Sequence, residues 1–435
     1  METAEKRVTI ASSSQRKRKR RKIRRIIRKR RRRNEKLLTA PSSLPNDAIE
    51  EIFLRLPVKA LIRLKSLSKQ WRVAIESLSF AERHLKIAEQ HRVVHPKVMV
   101  ITDEKEPGWT LRPDTDIGFR TFCLESGSTL SFSLINFPQG FFHCTFVSEN
   151  CDGLFCIHSP QSHSVYVVNP ATRWLRQLPP SRFQISMHKF YPTREEWKFT
   201  DSLFHLAFVK AAAGYKLVWL YNCENYNADA SFPSEGVTKC EVFDFRANTW
   251  RYLSCTPSYR IFYNQKPAYA NGSVYWLTEP YNARIEVVAF DIQTETFRLL
   301  PNIILAIADS DPNHIDMCSL DNHLCMSKRE HVTMIQDIWR LKPSEDTWEK
   351  IFSIDLISCH SPRTEIRDMF EWSQKDMVKP STPVAVCKNK KILLSHRCSR
   401  GLVKYDPLTK SLDLFYRNYM SRGKVTYFQS LISHI

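Results

Sequence analysis

One local pattern recurs five times between Val165 and Phe415. It reads V-Y-V-V-N-P-A-T-R-W-L-R-Q-L-P from Val165, V-F-D-F-R-A-N-T-W-R-Y-L from Val242, V-A-F-D-I-Q-T-E-T-F-R-L-L-P from Val288 and I-W-R-L-K-P-S-E-D-T-W-E-K-I from Ile338, with a weaker copy, L-V-K-Y-D-P-L-T-K-S-L-D-L-F, from Leu402. Each copy is an apolar strand, a turn opened by Asn or Asp, a Thr or Ser, and an aromatic or Leu that starts the next strand. Asn and Asp side chains accept hydrogen bonds from backbone N–H groups two or three residues on, which sets such hairpins. Five or six residues separate the anchor from the aromatic: Asn169 to Trp174, Asp244 to Trp250, Asp291 to Phe297. A further strand precedes each copy, at Gly153, Tyr215, Gly272, His323 and Lys391. Each unit therefore holds three or four antiparallel strands.

The anchors Asn169, Asp244, Asp291, Lys342 and Asp406 are 75, 47, 51 and 64 residues apart. Propeller blades of the kelch kind recur at about 50 residues, and longer intervals accommodate insertions. With a further sheet over 97–135, the expectation is an all-β, six-bladed propeller-like domain over residues 95–435, closed by a strand at Val425 to Leu431 against the first blade. A pair of β-sandwiches is the alternative. No Gly-Gly pair and no Trp-Asp dipeptide occurs, so the repeat is neither a typical kelch nor a WD repeat. Because Asp244, Asp291 and Asp406 recur at one equivalent position, they read as structural turn residues rather than catalytic acids.

Glycine usage narrows the chemistry. The chain has 10 Gly, and the two closest, Gly118 and Gly127, are nine apart. Phosphate loops and the hydrolase nucleophile elbow need closely spaced glycines, so standard nucleotide-binding loops and standard serine hydrolases are excluded. Of 12 Cys no two are closer than five residues; the densest set is Cys144, Cys151 and Cys156, near His143, His158 and His163. Zinc knuckles space their ligands more tightly, so the expectation is core thiols, no metal and no cofactor. No apolar run exceeds the six residues Ile303 to Ala308, which is too short to span a bilayer. Neither membrane association nor an enzyme is expected.

Residues 42–90 follow a helical period instead. Asn46 or Asp47 can cap a helix whose Ile49, Ile52, Phe53 and Leu56 share one stripe; Pro57 ends it and opens a second, with Leu61, Leu64 and Leu67. Ser68 can cap a third, with Trp71, Ala74, Ile75 and Leu78, and Phe80, His84, Leu85 and Ala88 point to a fourth turn or helix. Leu44, Pro45, Phe53 and Leu54 exceed what a trihelical core can hide, which marks a partner surface.

This segment, 41–90, resembles an F-box, on Leu44-Pro45, on Glu51, Ile52, Arg55, Leu56, Pro57, Val58 and Lys59, and on Ser68, Lys69 and Trp71; Phe53 stands where Leu is usual. Residues 148–180 resemble the plant F-box-associated domain on Gly153, Leu154 and Cys156 and on the run Asn169, Pro170, Ala171, Thr172, Arg173. The combined resemblance implies an α+β multidomain chain, a small trihelical F-box followed by the propeller. It implies a substrate-recognition subunit of an SCF-type ubiquitin ligase, docked on a Skp-type adaptor and cullin scaffold. The carried-over adaptor set is Leu44, Pro45, Ile49, Ile52, Phe53, Leu56, Pro57 and Leu61; for Trp71, core and anchor roles are evenly balanced. The propeller would bind a protein target, with Trp197, Tyr226 and Trp372 on loops 183–200, 222–237 and 356–380 as candidate contacts.

Charge belongs to a separate segment. The formal net charge is +20, of which residues 1–36 contribute 18 basic against 3 acidic side chains, leaving +5 for the rest. Residues 1–40 read as a disordered tail. Its block Arg16, Lys17, Arg18, Lys19, Arg20, Arg21, Lys22 and Arg28, Lys29, Arg30, Arg31, Arg32, Arg33 reads as a nuclear-import signal for an importin-type receptor. The location expected is the nucleus, with the cytoplasm also open. The alternative is a nuclear nucleic-acid- or chromatin-associated scaffold acting through this block; a membrane-surface helix on Ile23, Ile26 and Ile27 ranks below both.

Overall fold

Six four-stranded antiparallel sheets account for the body of the chain. The computed structural model describes residues 44–94, 96–103, 116–137, 146–159, 164–185, 205–212, 214–222, 238–262, 265–280, 284–300, 311–330, 332–342, 347–356, 358–359, 380–396, 401–418 and 421–433. It divides between Leu56 and Pro57 into two compact units. The first holds helix α1 (Asn46–Phe53); the second holds α2 (Val58–Leu64), α3 (Lys69–Glu76), α4 (Leu78–Val94) and every strand.

Helix α1 starts at Asn46 with Pro45 at its N-cap position and no side-chain cap, one residue before the Asn46 signal and two before Asp47. The Pro ring presets the entry dihedral but supplies no side-chain acceptor for the first-turn N–H groups. Ser68 does cap α3: its hydroxyl accepts from the Trp71 N–H at 3.1 Å. The fourth helical signal becomes the 17-residue α4.

The blades, in chain order, are β1 (Lys97–Asp103), β2 (Asp116–Cys123) and β3 (Thr129–Asn136); β4 (Phe146–Val147), β5 (Phe155–Ser159), β6 (Ser164–Asn169) and β7 (Trp174–Gln177); β8 (His205–Ala211), β9 (Gly214–Asn222), β10 (Thr238–Asp244) and β11 (Thr249–Tyr252); β12 (Ala268–Ala270), β13 (Ser273–Leu277), β14 (Val287–Asp291) and β15 (Thr296–Leu299); β16 (Ile315–Leu320), β17 (His323–Arg329), β18 (Ile335–Lys342) and β19 (Thr347–Asp355); β20 (Thr382–Val386), β21 (Ile392–His396), β22 (Gly401–Asp406) and β23 (Ser411–Arg417). The last strand, β24 (Ser421–Thr426), pairs with β1 and completes the first blade. The first strands β4, β12, β16, β20 and the closing β24 neighbour one another in turn, with β8 between β4's blade and β12, so they line a closed ring. The closing strand thus lies earlier than Val425 to Leu431. Its ladder ends at the Tyr427 N–H donating to the Lys97 carbonyl, after which the chain leaves the sheet.

The core is a set of packed layers between neighbouring blades. Val98, Val100 and Phe122 of the first blade meet Leu393 and Leu402 of the sixth, while Met99, Ile101 and Phe119 meet Phe155, Ile157 and Val168 of the second. Adjacent residues of β1 therefore serve opposite layers, as the two-residue period of a strand requires. Strands buried on both faces read as apolar runs rather than as alternations, which is why β6, β13 and β14 look continuous.

The turn anchors act as their residue types demand. Asp244 Oδ1 accepts from the Arg246 and Ala247 N–H groups at 2.8 and 3.0 Å, Asp291 Oδ1 from Gln293 and Thr294 at 2.9 and 2.8 Å, and Asp406 Oδ1 from Leu408 at 2.9 Å. Four residues after each anchor the backbone turns left-handed: Arg173 at φ 59°, Asn248 at 54°, Glu295 at 55° and Lys410 at 51°. A chain so poor in glycine places ordinary side chains where glycine is the easier occupant. Register corrects one equivalence. Asp244, Asp291 and Asp406 face Thr249, Thr296 and Ser411, so Trp250, Phe297 and Leu412 follow on the inner side; Asn169 faces Trp174 itself. The counterpart of Trp250 in the second blade is Leu175, packed against the core, because one residue of shift moves a side chain to the other face.

These anchors give the propeller an acid limit. Backbone donation by Ala247 to Asp244, by Thr294 to Asp291, and the Lys391 ammonium on Asp406 hold all three carboxyls below the ordinary aspartate range. A carboxyl with a depressed folded-state pKa stabilises above the unfolded value, about 3.9, and that contribution is lost as pH falls through the lower folded value. Buried Glu241, raised by desolvation, works in the opposite direction. The measurement must therefore be differential: the wild type should lose slightly more of its thermal midpoint between pH 6 and pH 3 than Asp291→Asn, which keeps the accepting oxygen without the charge. Equal losses would remove the turn carboxylates from the account.

Candidate partner-binding surfaces

The helical segment carries its apolar residues on two sides. On α1 and the residues flanking it, Phe53 and Leu54 are buried, Ile49 and Leu56 half-buried, and Leu44, Pro45 and Ile52 exposed. The buried side of this helix runs through Phe53 and Leu54, one residue round from the expected stripe, so neither is spare apolar surface. Ile52 remains 49% exposed and Leu44 56%. On α2, Leu61 is fully buried beside Val58 and is a core residue rather than an offered contact. Pro57 is exposed and Trp71 half-buried. The sequence stripes missed four exposed apolar side chains: Ile62, Leu67, Val73 and Leu78. Leu67 and Leu78 sit on stripes read as core. Short helices present two or three apolar positions per turn but bury only one face, which periodicity alone does not identify.

Strand direction sorts the propeller's connections onto two ends. In an antiparallel four-stranded blade, first-to-second and third-to-fourth connections leave one end, while second-to-third and blade-to-blade connections leave the other. The first end carries tight turns. Asp152-Gly153, Asn271-Gly272, Asp321-Asn322 and Asn389-Lys390 all have φ between 49° and 81°, and the Asx turns at 169–174, 244–249, 291–296 and 406–411 lie at the same end. The second end takes the connections 104–115, 178–204, 223–237, 253–267, 300–314 and 356–381. Loops 183–200, 222–237 and 356–380 therefore depart from one common end. Trp197, Tyr226 and Trp372 themselves lie outside the described residues, as do the basic block 16–33 and Cys144, His143 and His163.

The motif residues Gly153 and Asn169 belong to the tight-turn end and bind the chain's own terminus. Asn169 is fully buried; Oδ1 accepts from Ala171 N–H at 2.9 Å, while Nδ2 donates to the carbonyls of Ser430 at 3.1 Å and Ile432 at 2.7 Å. Gly153, at φ 81°, lies where a Cβ would meet Ser430 Oγ at 2.8 Å and the Phe428 carbonyl at 3.0 Å. Tyr427 stacks on Phe155 with ring centroids 5.7 Å apart. The two halves of the motif thus hold residues 427–432 against the second blade, next to the blade that β24 completes. Beside them, burial pushes the Cys151 and Cys156 thiols up, and His158 stacks on Phe146 at 5.2 Å.

Polar groups buried elsewhere also serve the fold. Glu241 accepts from the Arg182 and Phe183 N–H groups at 3.0 and 2.8 Å and from the Tyr221 hydroxyl at 2.9 Å, which fixes the short helical turn 182–185. Among the described residues, no three His, Cys, Asp or Glu side chains are grouped to hold a metal ion, and no helix is long and apolar enough to cross a membrane.

Two family models match the chain. A model of the F-box domain matches residues 41–83, and one of the F-box associated beta propeller domain matches residues 135–433. A relative named as an F-box/kelch-repeat protein of Arabidopsis thaliana is 73% identical over 438 residues, covering 100% of both chains. An Arabidopsis F-box protein is 65% identical over 402 residues, 91% of this chain and 86% of the relative, and another is 32% identical over 401 residues, 90% and 84%. An F-box joined to a propeller is, in general, the arrangement of SCF substrate-recognition adaptors, typically without catalysis of their own. The chain belongs to the family of F-box proteins with an F-box associated beta propeller domain.

Proposed function

We propose that the chain is the target-selecting subunit of an SCF-type ubiquitin ligase, with the F-box segment docking on a Skp-type adaptor and the propeller capturing a protein target. The carrying observation is that the F-box match keeps Leu44 and Ile52 exposed beside Pro45. Solvated apolar side chains of that size become binding energy when a partner pocket desolvates them. The receptor needs no chemistry of its own; it raises the effective concentration of target lysines near the ubiquitin-loaded enzyme. Ile52→Asp, an exposed site, should weaken adaptor binding by about 100-fold, the effect of one hot-spot residue, with the thermal midpoint unchanged. Wild-type protein that does not bind a Skp-type adaptor in a titration, or Ile52→Asp that binds as well as wild type, would sink the reading.

The propeller end with the long connections is the proposed target face, because the opposite end is closed by short turns and by residues 427–432. The basic block is proposed as a nuclear address. A fluorescent fusion lacking residues 16–33 should stay in the cytoplasm; unchanged nuclear accumulation would remove that role.

A further inference from the structure

Cys318 on β16 and Cys325 on β17 face each other across the first hairpin of the fifth blade. Their ladder runs without a register shift to the two-residue turn Asp321-Asn322. Facing residues of an antiparallel pair hold their Cα atoms about 4.5–5.5 Å apart, inside the span of about 4.4–6.8 Å that a disulfide accepts. Both thiols are free, and both side chains enter one packed layer with Ile338 of their own blade and Ile392, Leu394 and Tyr405 of the sixth. The other cysteines on described strands face different residue types: Cys123 faces Lys97, Cys156 faces Val167 and Cys240 faces Leu220. Among the described residues, this hairpin alone holds two cysteines in register.

We propose that Cys318 and Cys325 are a redox pair, closed to a disulfide by hydrogen peroxide when the fifth blade parts from the sixth. In the packed state the pair is inert. Cys318 is 5% exposed and Cys325 fully buried. Burial pushes the Cys325 thiol up to about 12 and the Cys318 thiol well above its ordinary value. The thiolate is the attacking species, and neither group supplies it at neutral pH. Opening the seam returns both to water, and because they share one hairpin it exposes them without separating them. The composition of the seam favours such opening. Ser327, Gln336 and His396 lie two residues along from Cys325, Ile338 and Leu394, on the same strand faces, and each is at most 3% exposed. Gln336 exchanges hydrogen bonds of 2.7 and 3.0 Å with the Ser381 backbone. Polar groups buried in this way regain water on opening, a gain that an all-apolar seam does not offer. In the open state the Cys325 thiolate attacks one peroxide oxygen; the S–O bond forms, the O–O bond breaks, and the departing hydroxide leaves as water. Cys318 then attacks that sulfur; the S–S bond forms, the S–O bond breaks, and a second water leaves. The two thiols lose two electrons and two protons, and the peroxide is reduced to two waters.

Peptide mapping of the reduced full chain after treatment with hydrogen peroxide tests this. Trypsin cuts after Arg298 and Lys328, and the peptide between those cuts carries Cys318, Cys325 and no other cysteine. That peptide should become two hydrogens lighter, resist alkylation, and regain both alkylation sites after dithiothreitol. Cys318→Ser should show no such change and should leave Cys325 at the sulfenic or sulfinic stage. The gate is tested from the other blade. Ile392 is fully buried in the shared layer, and Ile392→Val, which removes one methyl and keeps the fold, should form the bond about five times faster. A wild type whose peptide keeps both thiols alkylatable after the exposed Cys255 has been oxidised overturns the proposal. So does an equal yield of links to Cys359, which packs against the same layer, or an equal rate in Ile392→Val.

Discussion

Asn169→Ala should lower the unfolding free energy of the full chain by about 4 kcal/mol, several times the effect of the same change at the other turn anchors. At Asp244 and Asp291 the side chain caps its own turn, and truncation removes acceptors from partly solvated N–H groups, a loss of about 1 kcal/mol. Asn169 caps its turn in the same way, but its Nδ2 also donates to two carbonyls of the C-terminal segment, at a site with no solvent exposure. Each buried carbonyl left without a donor costs about 1–3 kcal/mol. Asn169→Asp should be as damaging, because it keeps the accepting oxygen and replaces the donor by a second oxygen aimed at two carbonyls. Denaturant titration of Asn169→Ala beside Asp291→Ala decides the matter, and equal losses would mean that the turn alone explains Asn169.

The same residue shows how far sequence reasoning reaches. The turn role of Asn169 was legible because Asx turns are local: anchor, turn and next strand all lie within six residues. Ring closure was legible only in outline. A strand near the C-terminus had to complete the first blade, but the register ends at Thr426, and nothing local distinguishes Tyr427 to Ile432 from further strand. That Asn169 and Gly153 serve this segment was not legible, since the contacts span more than 260 residues and the glycine's neighbours become visible only when the blades are assembled. On the helices, the apolar stripes located α1 to α3 but misplaced Phe53, read as spare yet buried, and Leu67 and Leu78, which are exposed, while the resemblance assigned a contact role to Leu61, which is buried, because core and partner surface use the same residue types.

Gly153→Ala and Gly272→Ala form the second decisive comparison. Both glycines occupy the second position of a two-residue turn with positive φ, 81° and 78°. An alanine there is held in a left-handed conformation, which costs about 1 kcal/mol at either site. The difference lies in what the new methyl meets. At Gly272 nothing stands within 4 Å, so strain should be the whole effect. At Gly153 the methyl would lie 2.8 Å from Ser430 Oγ and 3.0 Å from the Phe428 carbonyl, and a backbone atom does not yield as a rotating side chain does. Residues 428–430 must shift, which lengthens the bonds from Asn169 to Ser430 and Ile432 and loosens Tyr427 from Phe155. The expected loss at Gly153 is about 3–4 kcal/mol, from strain, overpacking and one weakened buried hydrogen bond together. Because both substitutions act on the same segment, Gly153→Ala combined with Asn169→Ala should cost less than the sum of the two. Additive losses, or a Gly153→Ala effect no larger than that of Gly272→Ala, would show that the C-terminal segment does not depend on the close approach at this turn.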